Sequence, residues 1–322
     1  MKTSVLIPAY NCAATILATL NSVLRQTSAP DEILVMNDGS TDDTASILES
    51  YKERVTVYSQ LNRGIASARN ELVARATGDL IAFLDSDDLW HPRYLEVQQK
   101  LFHEHPEAVA FFTGHVNFHG NGDYEWKSTP SDTGGNVELI PALDFFKRYN
   151  KATGPFSCFS YCCIPMRAYR QLGNEPFKEL AAEDSYCCSL LALVGPVVHA
   201  SADLVAYRLR ENSLSHNHGR TFGSWVHVFE LLEEHYKEAA DTDLWRAFQF
   251  AFASKRRFYA KLLMGTGRPS EARKQLVQSL NNSGNPVSIA KSLSMLILTY
   301  LPRALQPSWP GAHRVIESPE NT

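Results

Sequence analysis

Residues 80–88 are LIAFLDSDD, a run of five apolar residues followed by three carboxylates within four positions. A short apolar run that ends in a polar turn is typical of a strand buried inside a parallel sheet. We therefore predict a strand over Leu80–Leu84, with the cluster Asp85-Ser86-Asp87-Asp88 at its carboxyl end.

Upstream of this stretch, short apolar runs alternate with segments whose apolar residues recur at helical spacing. The strands predicted there are Ser4–Ile7, Glu32–Met36 and Val55–Tyr58. The helices predicted there are Ala13–Gln26, Asp43–Tyr51 and Ile65–Ala76. Such alternation produces right-handed crossovers and a largely parallel sheet. The predicted fold class is therefore α/β, with a mostly parallel, Rossmann-like sheet flanked by helices.

Three of these strands end in polar or turn-forming clusters: PAYN at residues 8–11, NDGS at 37–40 and DSDD at 85–88. Sheets of this kind bind ligands beyond the carboxyl ends of their strands, at the point where the strand order reverses. We therefore expect the three clusters to share one rim of the sheet and to form the ligand site.

The carboxylates of Asp85, Asp87 and Asp88 would repel one another at a partly desolvated strand end. A divalent cation relieves that repulsion, and oxygen ligands favour Mg²⁺ or Mn²⁺ over zinc. An ion held by one or two carboxylates keeps positions for diphosphate oxygens and neutralises charge on a departing nucleotide. The alternative is a solvated acidic turn in which Asp87 or Asp88 caps a helix.

The other two clusters have the chemistry of a nucleotide site, although each has an ordinary structural explanation as well. The carboxylate of Asp38 can accept a hydrogen bond from the imino N–H of uracil, thymine or guanine, or it is a turn aspartate before Gly39. Segment 8–11 presents the Tyr10 ring to a base, or it simply terminates a strand. Arg69, near a helix start, suits an anionic ligand or a rim salt bridge.

Two further segments are candidates for the acceptor side. Glu183-Asp184 precedes the apolar helix SYCCSLLALV. The residues alone favour helix capping, worth about 1 kcal/mol, over a general base that takes a proton from an acceptor hydroxyl. The stretch Gly120–Gly135, rich in Gly, Asp, Ser and Thr, is predicted to be a loop or lid.

The composition describes a soluble globular protein, with 44% hydrophobic residues, 20% charged residues and a net charge of −4. This charge argues against nucleic acid as the main ligand, because duplex binding depends on concentrated Lys and Arg. No segment offers about 18 uninterrupted apolar residues for a membrane-spanning helix. The six cysteines form no CxxC pair, so we expect reduced, buried thiols in a cytoplasmic protein.

From about Thr221 the apolar pattern is entirely helical. We predict a catalytic domain over 1–215, made of a nucleotide-binding half (1–105) and an acceptor half (106–215). A helical region over 216–310 and a disordered tail over 311–322 follow. The last predicted helix, Ser288–Leu301, has one apolar stripe, for which packing against the catalytic domain or a second subunit is favoured over a membrane surface.

Four ordered signatures, VLIPAYN, LVMNDGSTDDT, NRGIASARN and GDLIAFLDSDDLWHP, closely resemble the family 2 glycosyltransferases, which have the GT-A fold. The resemblance is dense over residues 3–95 and looser over Ser160–Asn217. It implies a metal-dependent, inverting enzyme that moves a sugar from a nucleoside diphosphate, UDP being favoured, to a hydroxyl of a glycan or lipid-linked acceptor. It also implies Mn²⁺ or Mg²⁺ as cofactor, a role in polysaccharide biosynthesis, and work in the cytoplasm, extending to the inner face of the plasma membrane.

The motifs and the resemblance together assign roles to individual residues. Nucleotide binding is assigned to Pro8, Ala9, Tyr10, Asn11, Asp38, Arg69, Asp85 and Ser86. Asp87, with Asp85, matches the family's metal ligands, and Asp184 matches its catalytic base. The segment YRLRENSLSH resembles a stretch that closes over the diphosphate, which makes Arg208, Arg210 and His216 candidates. Asn37 departs from the pattern, since many members have a second Asp there.

Two other functions stay open at this point. A nucleotidyltransferase on a similar fold would need a Gly-rich loop with a basic residue after the first strand, where this chain has PAYN. A catalytically idle sugar-nucleotide binder or assembly protein would be favoured by loss of the metal or base residues, yet Asp85, Asp87 and Asp184 are present. An NAD-dependent oxidoreductase is disfavoured because no GxGxxG follows the first strand.

Overall fold

The structure is a computed structural model of the 322-residue chain. It describes residues 1–127, 134–150, 159–173, 175–180, 182–210, 218–239, 241–283 and 285–301, with the backbone alone for 218–222. The chain divides into two compact units, the first formed by Met1–Glu179 and Tyr186–Glu211, the second by Leu180–Ser185 and Asn212–Thr322. The domain boundary predicted at 215, His216 and the predicted tail 311–322 lie outside the described residues, and those expectations stay predictions.

Strands and helices alternate through the first two thirds of the chain. In chain order the elements are β1 (Thr3–Ala9), α1 (Ile16–Leu24), β2 (Glu32–Asp38), α2 (Thr44–Glu49), β3 (Thr56–Gln60), α3 (Ile65–Arg75), β4 (Leu80–Phe83), β5 (Leu89–Trp90), α4 (Tyr94–Glu104), β6 (Ala110–Phe118), β7 (Val137–Ile140), α5 (Ala142–Tyr149), β8 (Cys162–Pro165), α6 (Met166–Tyr169), α7 (Glu183–Val194) and β9 (Val197–Arg208).

Among the described residues, nine strands form one sheet in the order β3-β2-β1-β4-β8-β6-β9-β5, and β7 also pairs with β9. The pairs β1–β2, β1–β4, β2–β3 and β6–β9 are parallel. Strand β8 runs antiparallel to both β4 and β6, and β5 and β7 run antiparallel to β9. The α/β class is confirmed, and the sheet is mixed because β8 enters between β4 and β6 in the opposite direction.

The burial of the first strands explains why the apolar pattern of the sequence predicts them. Every residue of β1 and β4 is buried, as expected for inner parallel strands covered on both faces. Strand β9 was not predicted, because polar residues such as His199, Ser201 and Asp203 interrupt its apolar pattern. Its partners β6, β7 and β5 come from distant parts of the chain, and its ladder with β6 is irregular around Gly114.

The second unit contains four helices in its described part: α8 (His218–Glu238), α9 (Thr242–Gly265), α10 (Pro269–Asn281) and α11 (Pro286–Leu298). Asp241 caps α9 by accepting hydrogen bonds from the N–H groups of Asp243 and Leu244. The predicted C-terminal helical region is therefore confirmed. None of the helices in the described ranges combines the length and the apolar character that crossing a membrane requires.

Candidate active site

The strands that carry the predicted clusters lie side by side. Strand β1 lies between β2 and β4, and all three run in the same direction. In this register Ala9 is opposite Asn37 and Leu6 is opposite Phe83. The carboxyl ends of parallel strands meet at one edge of a sheet, so Pro8–Asn11, Asp38 and Asp85 share that edge, as the sequence predicts.

Asp38, the last residue of β2, is buried and fixes the connection between β3 and α3. Its Oδ1 accepts hydrogen bonds from Gln60 Nε2 at 2.7 Å and from the Arg63 N–H at 2.9 Å. Its Oδ2 accepts one from the Gly64 N–H at 2.9 Å. A buried carboxylate needs such donors, and here they hold the loop that opens α3.

The loops after β1 and β2 are bonded to each other. Asn11 has a φ of 46°, a conformation that asparagine tolerates better than most residues. Its Oδ1 accepts from the Thr41 N–H at 2.8 Å, and its own N–H donates to Ser40 Oγ at 3.1 Å. The neighbouring Tyr10 side chain is 47% exposed. The strand edge therefore presents an aromatic ring on a fixed turn.

Arg69, on α3, is a deeply buried charged side chain of this edge, only 2% exposed. Its Nη2 lies 2.7 Å from Asp85 Oδ1. The guanidinium carbon lies 5.3 Å from the ring centre of Phe159 and 5.5 Å from that of Phe177. The main-chain N–H of Asp85 donates to Ser160 Oγ at 3.1 Å. Asp85 is therefore held in one position by a desolvated arginine.

Asp87 has a separate counter-charge. Arg210 Nη2 lies 2.8 Å from Asp87 Oδ2 and 3.3 Å from Thr15 Oγ1. Burial, and then the nearby charge of Asp85, raise the pKa of Asp87, while Arg210 and Arg208 act in the opposite direction. The side chains of Asp85 and Asp87 are 23% and 29% exposed. Two carboxylates thus reach solvent at the strand end, each beside an arginine.

Asp88 and Arg208 form a buried brace behind this pair. Asp88 Oδ1 accepts from the Arg208 N–H at 2.9 Å. Burial, followed by the charges of Asp87 and Asp85, raises the pKa of Asp88 well above its ordinary value. Strand β5 begins at Leu89 and α4 only at Tyr94. The alternative in which Asp87 or Asp88 caps a helix in a solvated turn is therefore wrong.

The guanidinium of Arg208 is engaged with the protein itself. It donates to the carbonyl oxygens of Asp87 at 2.5 Å and of Gly122 at 3.3 Å, and it also donates to that of Gly120. It packs 4.3 Å from the ring centre of Phe118. Arg208 thus joins the acidic cluster to the loop after β6. The half-exposed Arg210 is placed differently, since it points to the carboxylate of Asp87.

Asp184 stands in the first turn of α7, within the stretch Leu180–Ser185 of the second unit. Its Oδ1 accepts a hydrogen bond from the Ser185 N–H at 2.7 Å. The same N–H also donates to the Ala182 carbonyl at 3.1 Å, so Asp184 shares this donor of the first turn with a main-chain acceptor. The capping interpretation therefore has a contact in the structure, and the catalytic role of Asp184 stays a prediction.

The start of α3, suggested as a site for an anionic ligand, already holds a carboxylate of the protein. Glu179 Oε1 accepts from the Ser67 N–H at 2.7 Å. Asn70 holds the same segment by donating to the Phe177 carbonyl at 2.8 Å and accepting from its N–H at 3.2 Å. No local pattern in the sequence indicates these contacts, because the partners are more than one hundred residues apart.

The donor set at this edge suits a cation that keeps most of its other ligands. No group of three or more His, Cys, Asp or Glu side chains in the described ranges is arranged to enclose a metal ion. Asp85 and Asp87 offer two half-buried carboxylates at the same strand end. Mg²⁺ and similar ions are commonly held by one or two carboxylates plus water and phosphate oxygens. The residues present fit such an ion, and they do not fit a closed metal cage.

Sequence comparison finds relatives over the first part of the chain. The putative teichuronic acid biosynthesis glycosyltransferase TuaG of Bacillus subtilis is 42% identical over 112 residues, which are 34% of this chain and 44% of that protein. The chondroitin synthase of Pasteurella multocida is 37% identical over 131 residues, which are 38% of this chain and 14% of that protein. The chain thus spans less than half the length of these curated relatives.

Similar folds occur among solved structures. The structure of residues 1–349 of TarS from S. aureus, in complex with UDP-GlcNAc, has a TM-score of 0.69 and 18% sequence identity, and the match covers 93% of this chain and 90% of that one. The mannosyltransferase PcManGT from Pyrobaculum calidifontis, in complex with GDP-Man and Mn²⁺, has a TM-score of 0.56 and 19% identity, covering 94% of this chain and 82% of that one. These likenesses concern the fold.

The family itself is identified by the sequence of the first unit. The pattern of glycosyl transferase family 2 matches residues 4–171, slightly more than half of the 322 residues. That range includes β1, β2 and β4 and the polar clusters at their carboxyl ends. The chain therefore belongs to glycosyl transferase family 2.

Proposed function

We propose that the chain is an inverting glycosyltransferase that moves a sugar from a UDP-sugar to a hydroxyl of a glycan or lipid-linked acceptor. One observation carries this proposal within the family. Asp85 and Asp87 are half-buried at the carboxyl edge of the parallel strands, each within 2.8 Å of an arginine. The two carboxylates provide negative charge that can bind a cation, and the two arginines provide positive charge that can bind a diphosphate.

Support for a uridine donor comes from the loops after β1 and β2. The exposed Tyr10 ring offers a face on which a base can stack. An ionised carboxylate accepts about four hydrogen bonds, and Asp38 receives three from Gln60, Arg63 and Gly64. The remaining acceptor site suits the imino N–H of uracil. Cytosine has no imino N–H, so UDP is favoured over CDP.

In this proposal Asp85 and Asp87 hold Mn²⁺ or Mg²⁺, which when bound supplies positive charge to the departing diphosphate. Arg69 keeps Asp85 in position through its 2.7 Å contact. Arg210 leaves Asp87 and donates to diphosphate oxygens, a task that suits a half-exposed guanidinium. His216, as predicted from the sequence, also contacts the diphosphate in this proposal. Arg208 supports the site from behind, because its guanidinium is already bonded to main-chain carbonyls.

Asp184 acts as the general base in the proposed reaction. It accepts the proton of the acceptor hydroxyl while that oxygen attacks the anomeric carbon from the side opposite the nucleotide. The bond between the anomeric carbon and the diphosphate oxygen breaks, and its electron pair leaves with the UDP. One displacement inverts the configuration, so the enzyme forms no covalent intermediate with the sugar.

The relatives suggest the class of product. One is a putative enzyme of teichuronic acid biosynthesis and the other a chondroitin synthase. We infer that this chain also works in polysaccharide biosynthesis, in the cytoplasm, on an acceptor at the inner face of the membrane.

Incubation of the full chain with UDP-, dTDP- and GDP-sugars, with and without Mn²⁺, tests the proposal. We expect slow Mn²⁺-dependent hydrolysis of a UDP-sugar, measured as released UDP, since water replaces the missing acceptor. A nucleotidyltransferase would instead release pyrophosphate from UTP and a sugar 1-phosphate. Binding of UDP-sugars with neither hydrolysis nor transfer across a broad acceptor panel would favour the idle binder and contradict the proposal.

A further inference from the structure

Helix α11 packs Met295 and Leu296 against the core of the second unit, yet its fully buried positions are polar. Its buried residues are Ser288 and Ser292, and Thr299, just beyond its end, is buried too. The apolar residues Ile289, Leu293 and Ile297, spaced four apart, are exposed. A helix that packs on a protein core usually has the opposite arrangement, with its apolar stripe inward.

Hydrogen bonds explain why the polar side faces inward. Arg257 Nη1 donates to Ser288 Oγ at 2.8 Å and to Ser292 Oγ at 3.2 Å. Ser279 Oγ donates to Ser292 Oγ at 2.8 Å. Arg257 is buried on α9, so its guanidinium requires these acceptors. The rotation of α11 about its axis is thereby fixed by polar contacts within the second unit.

The outward side of α11 is a continuous apolar surface, which we call the α11 face: Pro286, Val287, Ile289, Ala290, Leu293, Ile297, Tyr300 and Leu301. Ile297 is 66% exposed and Tyr300 is 69% exposed. From 286 to 301 the only charged residue is Lys291. Contiguous exposed apolar surface of this kind marks an interaction site in a soluble protein.

Charge identifies the kind of partner. Cations border the α11 face: Lys291 lies on α11 itself, and the guanidinium of Arg273, on α10, lies 4.2 Å from the ring centre of Tyr300. A second copy of this chain would bring the same positive charge to the α11 face and be repelled. An anionic lipid surface offers acyl chains for the apolar side chains and headgroups for the cations.

We propose that the α11 face binds the surface of an anionic bilayer, with the helix lying in the headgroup region. Helices that bind in this way are amphipathic and lie on the membrane without spanning it. The inference concerns where the protein works and stands independently of the proposed transfer reaction. It predicts that removing the apolar side chains weakens lipid binding without changing the fold.

Vesicle sedimentation of the full chain tests this proposal. We expect the protein to sediment with vesicles of phosphatidylcholine and phosphatidylglycerol but not with phosphatidylcholine alone, and to be released as salt rises. The double variant I297S/Y300S should bind about tenfold more weakly or worse. A matched control, L231S/F250S, removes two exposed apolar side chains from α8 and α9 and should bind like the wild type.

Four results would overturn the proposal. The wild type could stay in the supernatant with anionic vesicles, or the control double variant could lose as much binding as I297S/Y300S. A wild-type dimer in size-exclusion chromatography, dissociated by I297S/Y300S, would assign the α11 face to a second copy. Vesicle binding that emerged only after removal of residues 302–322 would show that this segment covers the face in the full chain. Circular dichroism of each variant checks that it remains folded.

Discussion

Asp85 and Asp87 are like charges two residues apart, and the chain neutralises them with two arginines of different character. Arg69 is buried against two phenylalanine rings, whereas the side chain of Arg210 is half-exposed. A buried ion pair is costly to break, and a solvated one exchanges its partner readily. We therefore assign a fixed role to the Arg69–Asp85 pair and an exchangeable role to the Arg210–Asp87 pair.

Replacement of Arg210 by Gln tests that exchange. The variant removes the cation that competes for Asp87, so Mn²⁺ should bind about threefold to tenfold more tightly without nucleotide. Titration calorimetry with Mn²⁺ alone measures this affinity. Arg25→Gln is the matched control, since its 3.2 Å ion pair with Asp123 is solvent-exposed and lies outside the acidic cluster. Equal Mn²⁺ affinity in wild type and Arg210→Gln would contradict competition at Asp87.

Asp184→Asn separates the capping role of this residue from its proposed catalytic role. Asn caps helices about as well as Asp, so the fold should be kept. Asn cannot accept the acceptor proton, so transfer should fall by about 10²- to 10⁴-fold. UDP affinity should stay unchanged, which titration of UDP with Mn²⁺ measures beside the transfer rate. Glu183→Gln is the control at the neighbouring carboxylate. A near wild-type rate in Asp184→Asn would remove Asp184 from the mechanism.

At the scale of elements, the turn between β2 and α2 depends on a single glycine. Gly39 has a φ of 72°, and a Cβ there would lie 2.7 Å from the Asn62 main-chain N. The loop after β3 passes so close because Asp38 binds the N–H groups of Arg63 and Gly64. The proposed nucleotide side of the site is therefore formed by two loops in contact with each other.

Gly39→Ala should destabilise the protein more than the same change at Gly173. Both glycines have positive φ, which costs an alanine about 1–2 kcal/mol. A Cβ at Gly173, where φ is 95°, would meet nothing within 4 Å. Gly39→Ala adds a backbone clash, so urea unfolding should give it the larger loss of unfolding free energy. Equal losses of unfolding free energy in the two variants would contradict this prediction, since they would mean that the two loops can move apart at no cost in free energy.

At the scale of the whole molecule, ligand binding should stabilise the fold by linkage. UDP with Mn²⁺ at about one hundred times its dissociation constant should add about 2.7 kcal/mol to the unfolding free energy. We expect EDTA to remove most of this gain and CDP to give less of it than UDP. Thermal unfolding followed by fluorescence measures each case. A gain that survives EDTA in stripped protein would refute the cation at Asp85 and Asp87.

The sequence predicted the half of the fold in which neighbours along the chain are neighbours in space. Strands β1, β2, β3 and β4 form one parallel block, and their buried runs are visible as apolar patterns. Strand β9 was not predicted, because its partners are distant and its residues mix polar and apolar types. The sheet is mixed because β8 runs antiparallel to both of its neighbours, β4 and β6, whereas mostly parallel pairing was expected.

The same division holds for the candidate site. Clusters that end consecutive strands could be found from local pattern, because strand direction alone brings Asp38 and Asp85 to one edge. The partners of those residues could not be found in that way. Arg208 and Arg210 contact the acidic cluster from more than one hundred residues away, and only folding shows that the first is bonded to main-chain carbonyls and the second faces the carboxylate of Asp87.

By itself the sequence determined the α/β class, the edge that carries the carboxylates, the family, and the helical nature of the C-terminal region. Tertiary structure alone decided which arginine faces which carboxylate, that Glu179 occupies the start of α3, and that α11 turns its serines inward. The physical reason is how far apart along the chain the interacting residues lie. Apolar periodicity and strand direction are local properties of a chain, whereas ion pairs and buried hydrogen bonds depend on which distant segments pack together.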